Sequence, residues 1–269
     1  MGLFSVLAAA TMTFSGVTGP PPADLFPASI PACPPRFAPV FGHSADGRPL
    51  TVEQRSGAGT PQVTVLVIGV VHGQEDAGRH VLHHLRCFDV ADGVRLVIVP
   101  TLNPDGEAAA AEAGAGAYDT NGVFNANGVN LNRNFPSEWE TDTYYSSGKY
   151  HSGPEAGSEP ETQAFMRLAQ AIRPDLTVSF HQPWDVIDAA PGVQSAVRYG
   201  ELVGMDVDYD HRPGTLTGWM HEYGLGESFV VEFGVNDPMG VDAFAHAQAI
   251  LAVAEEMIPE LNIPAALVR

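Results

Sequence analysis

The sequence predicts a three-layer α/β/α domain built on a mixed, mostly parallel central sheet. Three observations carry this. Val63–Val71 (VTVLVIGVV) is an almost unbroken apolar run, the pattern of a strand buried on both faces. Segments with helical spacing alternate with such strands along the chain. The chain has 269 residues, 45% of them hydrophobic, enough for one sizeable core.

The elements follow in order. Leu3–Phe14 is an apolar run too short to span a bilayer. It has the length of a signal-peptide hydrophobic region, although no Lys or Arg precedes it. Eight of the 22 prolines lie between Pro20 and Pro39, which prevents regular helix and reads as an extended linker. We therefore divide the chain into a signal-like or disordered segment, 1–39, and a folded domain, 40–269. Export to the cell envelope or beyond is the reading these features favour, with the cytoplasm as the other.

Within the domain, Val63–Val71 reads as a strand, Asp76–Arg86 as a helix and Val94–Val99 as a second buried strand stopped by Pro100. Residues 103–158 are rich in Gly, Asn, Ala, Ser and Tyr with little periodicity, and read as one very long loop region. Glu159–Ile172 is a helix with Pro160 in its first turn. Leu176–Phe180 is a strand, Val193–Val203 a helix, Phe229–Phe233 a short strand and Val241–Met257 a C-terminal helix.

Composition excludes several functions. Lys plus Arg is 13 and Asp plus Glu is 32, for a net charge of −19. Nucleic acid needs clustered cations, so it is not the expected partner, and the same charge opposes docking on anionic lipid. No stable membrane insertion is expected. Cys33 and Cys87 are too few for a cysteine-based zinc module; they can form one bridge. No GxSxG elbow is present.

In open α/β sheets the site lies beyond the carboxyl ends of the strands. His72 and Glu75 follow the first buried strand in the turn His72-Gly73-Gln74-Glu75, and His181 follows the Leu176–Phe180 strand. Two His and one Glu make an open three-ligand set for catalytic zinc. Glu232, at another strand end, is placed to take a proton from water. A lone HxxE is usually a surface turn; the argument rests on all four groups falling at strand ends. A second cluster, Asn127-Gly128-Val129-Asn130-Leu131-Asn132-Arg133-Asn134-Phe135, reads either as an Asn-rich turn or as a carboxylate anchor, Arg133 gripping in two places with Asn132 beside it. His80, His83 and His84 read as helix surface or packing, and Trp219 and Tyr223 as pocket or core.

Together these residues resemble the zinc carboxypeptidase family. His72-Gly73-Gln74-Glu75 is similar to its first two zinc ligands, Ser179-Phe180-His181 to the third, Leu131-Asn132-Arg133-Asn134-Phe135 to its carboxylate-binding segment and Val231-Glu232-Phe233 to its general base. Gly42-His43-Ser44 with Gly47-Arg48 resembles the opening strand pair, and Asn103-Pro104-Asp105-Gly106 a family turn. Asn125-Ala126-Asn127-Gly128, Gly157–Thr162 and Pro213-Gly214-Thr215 with Trp219 resemble the murein peptide amidase branch, which cleaves the γ-D-glutamyl–diaminopimelate bond.

The resemblance implies one Zn2+, hydrolysis of an amide bond next to a C-terminal, carboxylate-bearing residue, and a peptide or acyl-amino-acid substrate. Murein peptides are one such source. The alternatives are an aspartoacylase-like N-acyl-amino-acid deacylase and a catalytically weakened, zinc-holding peptide-binding protein. Two departures stand out. Where the murein branch has an oxyanion arginine, this chain reads Gly122-Val123-Phe124, leaving Arg79, Arg198 or Arg212 to replace it; losing such a donor costs about 2.7–4 kcal/mol of transition-state stabilisation. Where the family has an aspartate orienting a zinc-bound His, this chain has Asn130, an uncharged acceptor.

Overall fold

A computed structural model describes residues 38–145, 148–208, 212–235 and 242–259. The signal-like and Pro-rich readings, and Cys33, lie outside the described residues except for Ala38 and Pro39.

The central sheet has seven strands in the order β10-β9-β11-β8-β4-β5-β3. Its middle is parallel: β4 (Val63–Ile68), β5 (Val94–Val99), β8 (Leu176–His181) and β11 (Glu227–Glu232) run together. All six residues of β4 and of β8 are buried, as strands covered on both faces must be. Three outer strands complete the mixture, with β10 and β3 at the two edges. β3 (Glu53–Ser56) is antiparallel to β5, β9 (Val186–Ala189) is antiparallel to β11, and β10 (Val207–Asp208) is parallel to β9. β1 (Val40–His43) and β2 (Pro49–Thr51) form a separate antiparallel pair, as the opening motif predicts.

Two helix layers follow from strand alternation. One face, with Val65, Val67, Leu96 and Phe180, packs on α1 (Gly78–Leu85), α4 (Gln194–Val203) and α6 (Ala243–Glu256). The other, with Leu66, Ile68, Val97 and Val99, packs on α3 (Pro160–Ile172), α5 (Leu216–Glu222) and the segment holding Leu131 and Phe135. Trp219 is core: it packs against Phe135 and Phe165, whereas Tyr223 is half exposed at the end of α5.

The single long loop read over residues 103–158 is a correction. It contains α2 (Pro104–Ala113), a 3-10 turn at Leu131–Arg133 and a hairpin of β6 (Asp142–Tyr145) and β7 (Gly148–His151). Helix α2 carries strong end signals: Asn103 accepts the Gly106 N–H at 2.8 Å, Pro104 opens the helix and left-handed Gly114 closes it. Its body is mostly alanine, so it shows no apolar stripe and escapes a periodicity test. α5 was also unread; it is only seven residues long.

β5 lies on one side of β4 and β8 on the other. The carboxyl ends of β4 and β8 therefore frame a crevice where the chain reverses its direction of travel across the sheet.

Candidate active site

His72 and Glu75 emerge just beyond β4, and His181 is the last residue of β8. The turn between His72 and Glu75 is pressed onto the start of α2. The Gly73 N–H donates to the Gly122 carbonyl at 2.7 Å, and a Cβ on Gly73 would lie 2.1 Å from the Gly106 carbonyl carbon. Only glycine permits that approach.

The three side chains converge. His72 Nδ1 lies 2.9 Å from both Glu75 oxygens and His181 Nδ1 lies 2.9 Å from Glu75 Oε2. One ligand atom from each falls within 4.8 Å of the others. Glu75 and His181 are buried and His72 is partly so.

The proton positions can be read from the network. The Asn130 Oδ1 accepts the Asn132 N–H at 2.9 Å, which identifies it as the oxygen of the amide. The same oxygen lies 3.1 Å from His72 Nε2, so Nε2 carries the imidazole proton. In the neutral ring Nδ1 then aims a lone pair at a carboxylate, acceptor against acceptor. A cation between them resolves that opposition. Burial alone pushes Glu75 up, but when the neighbouring imidazoles are protonated their charge and hydrogen bonds, those of His72 and His181, outweigh it and hold the carboxyl at about 2. Burial lowers the His181 imidazole despite the Glu75 carboxylate beside it. An ionised carboxylate and imidazoles offering bare nitrogens are the donor set that fits zinc.

Glu232 ends β11 in register with His181. Burial, then the Glu75 charge, push its carboxyl well above the usual carboxylate range, while Arg212 and Arg133 act the other way. Its Oε2 is buried without a protein partner. Arg133 is 7% exposed and its charge also reaches His181. Asn132 takes part in the fold: its Oδ1 accepts the Leu216 N–H at the start of α5, at 3.0 Å. Thus the sequence-predicted residues His72, Glu75, His181, Asn130, Asn132, Arg133 and Glu232 gather at one end of the sheet.

The arginine alternatives separate. Arg198 pairs with Glu256 and Glu201 on the far helix layer, and Arg79 pairs with Glu107. Arg212 is the one of the three whose charge acts on Glu232. His80 and His83 are exposed on α1, apart from the cluster. Two residues went unremarked in the sequence. Gln182 sends its backbone N–H to Glu75 Oε2 at 3.4 Å, and Gln74 sends its amide to Glu75 Oε1 at 3.4 Å. Their adjacency to His181 and Glu75 was the available signal.

A mixed sheet carrying a His-Glu-His cluster at its carboxyl edge defines an α/β protein with a single-ion metal centre. The model of the zinc carboxypeptidase family matches residues 32–194, and the chain belongs to that family. It is 35% identical over 171 residues to Carboxypeptidase Z of Mus musculus, a match covering 52% of this chain and 26% of the relative. It is 28% identical over 171 residues to murein peptide amidase A of Vibrio campbellii, covering 58% of this chain and 64% of the relative. Among solved structures it is similar to the murein-tripeptide amidase of Escherichia coli O157, with 26% identity, a TM-score of 0.63, and coverage of 86% of this chain and 95% of that one. The matches to the two curated relatives thus span about a quarter and under two thirds of their lengths.

Proposed function

We propose that the chain is a zinc-dependent hydrolase that cleaves an amide bond next to a C-terminal, carboxylate-bearing residue, with murein peptides as its substrate source. The observation that carries this is the convergence of His72, Glu75 and His181 within 4.8 Å, with Glu232 in register beside His181.

His72, Glu75 and His181 would hold the ion, and a zinc bound there would polarise the scissile carbonyl and acidify water. Glu232 takes the water's proton and delivers it to the departing amine. Arg133 and Asn132 grip the substrate carboxylate, which fixes the bond to be cut. Similarity to two murein amidases supports the murein source.

For residues 1–39 we propose a segment outside the catalytic domain that directs export. Among the described residues no helix is long and apolar enough to cross a membrane. N-terminal sequencing of secreted protein tests this.

The activity is tested by mass spectrometry of C-terminal dipeptides, acyl amino acids and γ-D-glutamyl–diaminopimelate peptides, with and without zinc. Zinc-dependent release of a C-terminal residue is expected. Turnover of acyl amino acids alone would make it a deacylase, and tight binding with no turnover a binding protein.

A further inference from the structure

Helix α1 carries three imidazoles that the site at the strand ends does not use. Residues four positions apart on a helix stand one above the other, with Cβ atoms about 5–6 Å apart. His80 and His84 therefore share one edge of α1. His83 stands beside them, its ring 5.8 Å from that of His84. Gly78, Val81, Leu82 and Leu85 fill the core side of the helix, whereas His80 and His83 are exposed and His84 is partly so. Among the described residues no side chain hydrogen-bonds any of the three rings, and His84 Nδ1 is buried without a protein partner. The His84 ring is held between Phe88 and Phe244, at 5.9 and 5.7 Å. Burial, then the charges of His83 and His80, lower the His84 imidazole against the opposing charge of Asp242. The ring is thus neutral at pH 7, and a neutral imidazole always keeps one bare nitrogen. Asp242 caps α6 through the Ala245 N–H at 3.0 Å and brings a negative charge to this edge of α1.

We propose that His80 and His84 form a second cation site, chelating a divalent transition ion such as Zn2+ across one turn of α1, with the Asp242 carboxylate offsetting its charge. Two imidazoles four positions apart on one helix face can both turn to a single ion. Their chemistry decides which ion: imidazole nitrogens suit zinc, copper and nickel, whereas calcium and magnesium take oxygen donors. Packing against Phe88 and Phe244 accounts for His84 but not for exposed His80 above it. Two protein ligands leave the other positions to water, so this ion exchanges more readily than one in the buried His72–Glu75–His181 centre. The two sites share no residue. An ion here pins α1, the helix that leads out of the His72–Glu75 turn, and stabilises the folded chain by mass action.

The test uses the untagged full chain, loaded with zinc and washed of excess, in equilibrium dialysis against Zn2+ alone. Zinc per chain is expected to rise from one ion toward two, and the added ion to raise the thermal midpoint. His80→Gln, which alters only an exposed ring, and the double variant His80→Gln, His84→Gln are expected to lose the second ion and the rise in midpoint while keeping the first ion. A wild-type chain that stops at one ion, or a second ion held equally well by His80→Gln, overturns the proposal. Should the buried centre hold no zinc, the count runs from zero to one in the wild type and stays at zero in the double variant. The second site and the hydrolase reading therefore stand or fall separately.

Discussion

His181 and Glu232 are register partners on adjacent parallel strands, so their side chains leave the sheet on the same face at the same level. A metal ligand and a proposed proton carrier are thus set side by side by six consecutive backbone pairings, from Glu227↔Leu176 to Glu232↔His181. Loops do not have to position them. Rigid placement of this kind is what proton transfer to a bound substrate requires.

Glu232→Gln keeps shape and removes the base. Zinc content should stay near one ion per chain while kcat falls about 10²- to 10⁴-fold. Metal analysis beside peptide hydrolysis checks both halves. Full activity in this variant would remove Glu232 from the mechanism.

Asn130 orients His72 and also caps the Leu131–Arg133 turn through the Asn132 N–H. Asn130→Ala should weaken zinc binding about 10- to 100-fold, and Asn130→Asp should strengthen it by making His72 more basic. Competition with a chelator measures each. Equal affinities in all three proteins would disprove the orienting role.

Gly214 has φ +71°, and a Cβ there would lie 2.3 Å from the Arg133 carbonyl oxygen. Its backbone also bonds Phe135 and Ser137, at 3.0 and 2.7 Å. Gly214→Ala must push Arg133 aside. We expect KM for carboxylate-bearing substrates to rise more than kcat falls, with zinc content unchanged. A pure kcat effect would argue against Arg133 as the anchor.

His246 is buried against Tyr199, whose hydroxyl lies 2.7 Å from its Nδ1, and burial lowers the imidazole from 6.5 to about 4. The folded state therefore resists a proton that the unfolded state accepts. The stability this neutral pair contributes is full above pH 6.5 and is lost as pH falls toward 4, by roughly 3 kcal/mol. Urea unfolding at pH 7 and pH 4.5 should show the loss, and His246→Gln should flatten it. A slope unchanged in His246→Gln would place the acid sensitivity elsewhere.

Asp105 behaves with the same sign through a different cause. Burial pushes its carboxyl up, but hydrogen bonds from Ser44, Arg48 and the Asp46 N–H outweigh this and hold it below its ordinary 3.8. That contribution is present above pH 3.8 and is lost as pH drops through the lowered value. Asp105→Asn should cost about 2 kcal/mol at pH 7 and less near pH 3. Equal losses at both pH values would mean the carboxylate charge is irrelevant to this link between the β1–β2 pair and α2.

Much of the molecule was legible in the residues themselves. Val63–Ile68 is apolar enough to announce a strand buried on both faces, Leu176–Phe180 reads as a strand, and His72, Glu75, His181 and Glu232 stand at or just beyond strand ends. The family motifs then bound these scattered residues into one site. What stayed hidden was short or unpatterned: alanine-rich α2, seven-residue α5 and the short outer strands β3, β9 and β10.

Chemistry and element type were set locally, because periodicity and strand-end position depend only on near neighbours in the chain. Tertiary structure alone decided that Asn130 and His72, 58 residues apart, share a hydrogen bond, that the charge of Arg212 rather than Arg198 acts on Glu232, and that Asp188 shares a face with Ser228. The physical reason is register: which residues meet across a sheet is settled by the pairing of whole strands and the packing of helices upon them, and neither is written in any one segment.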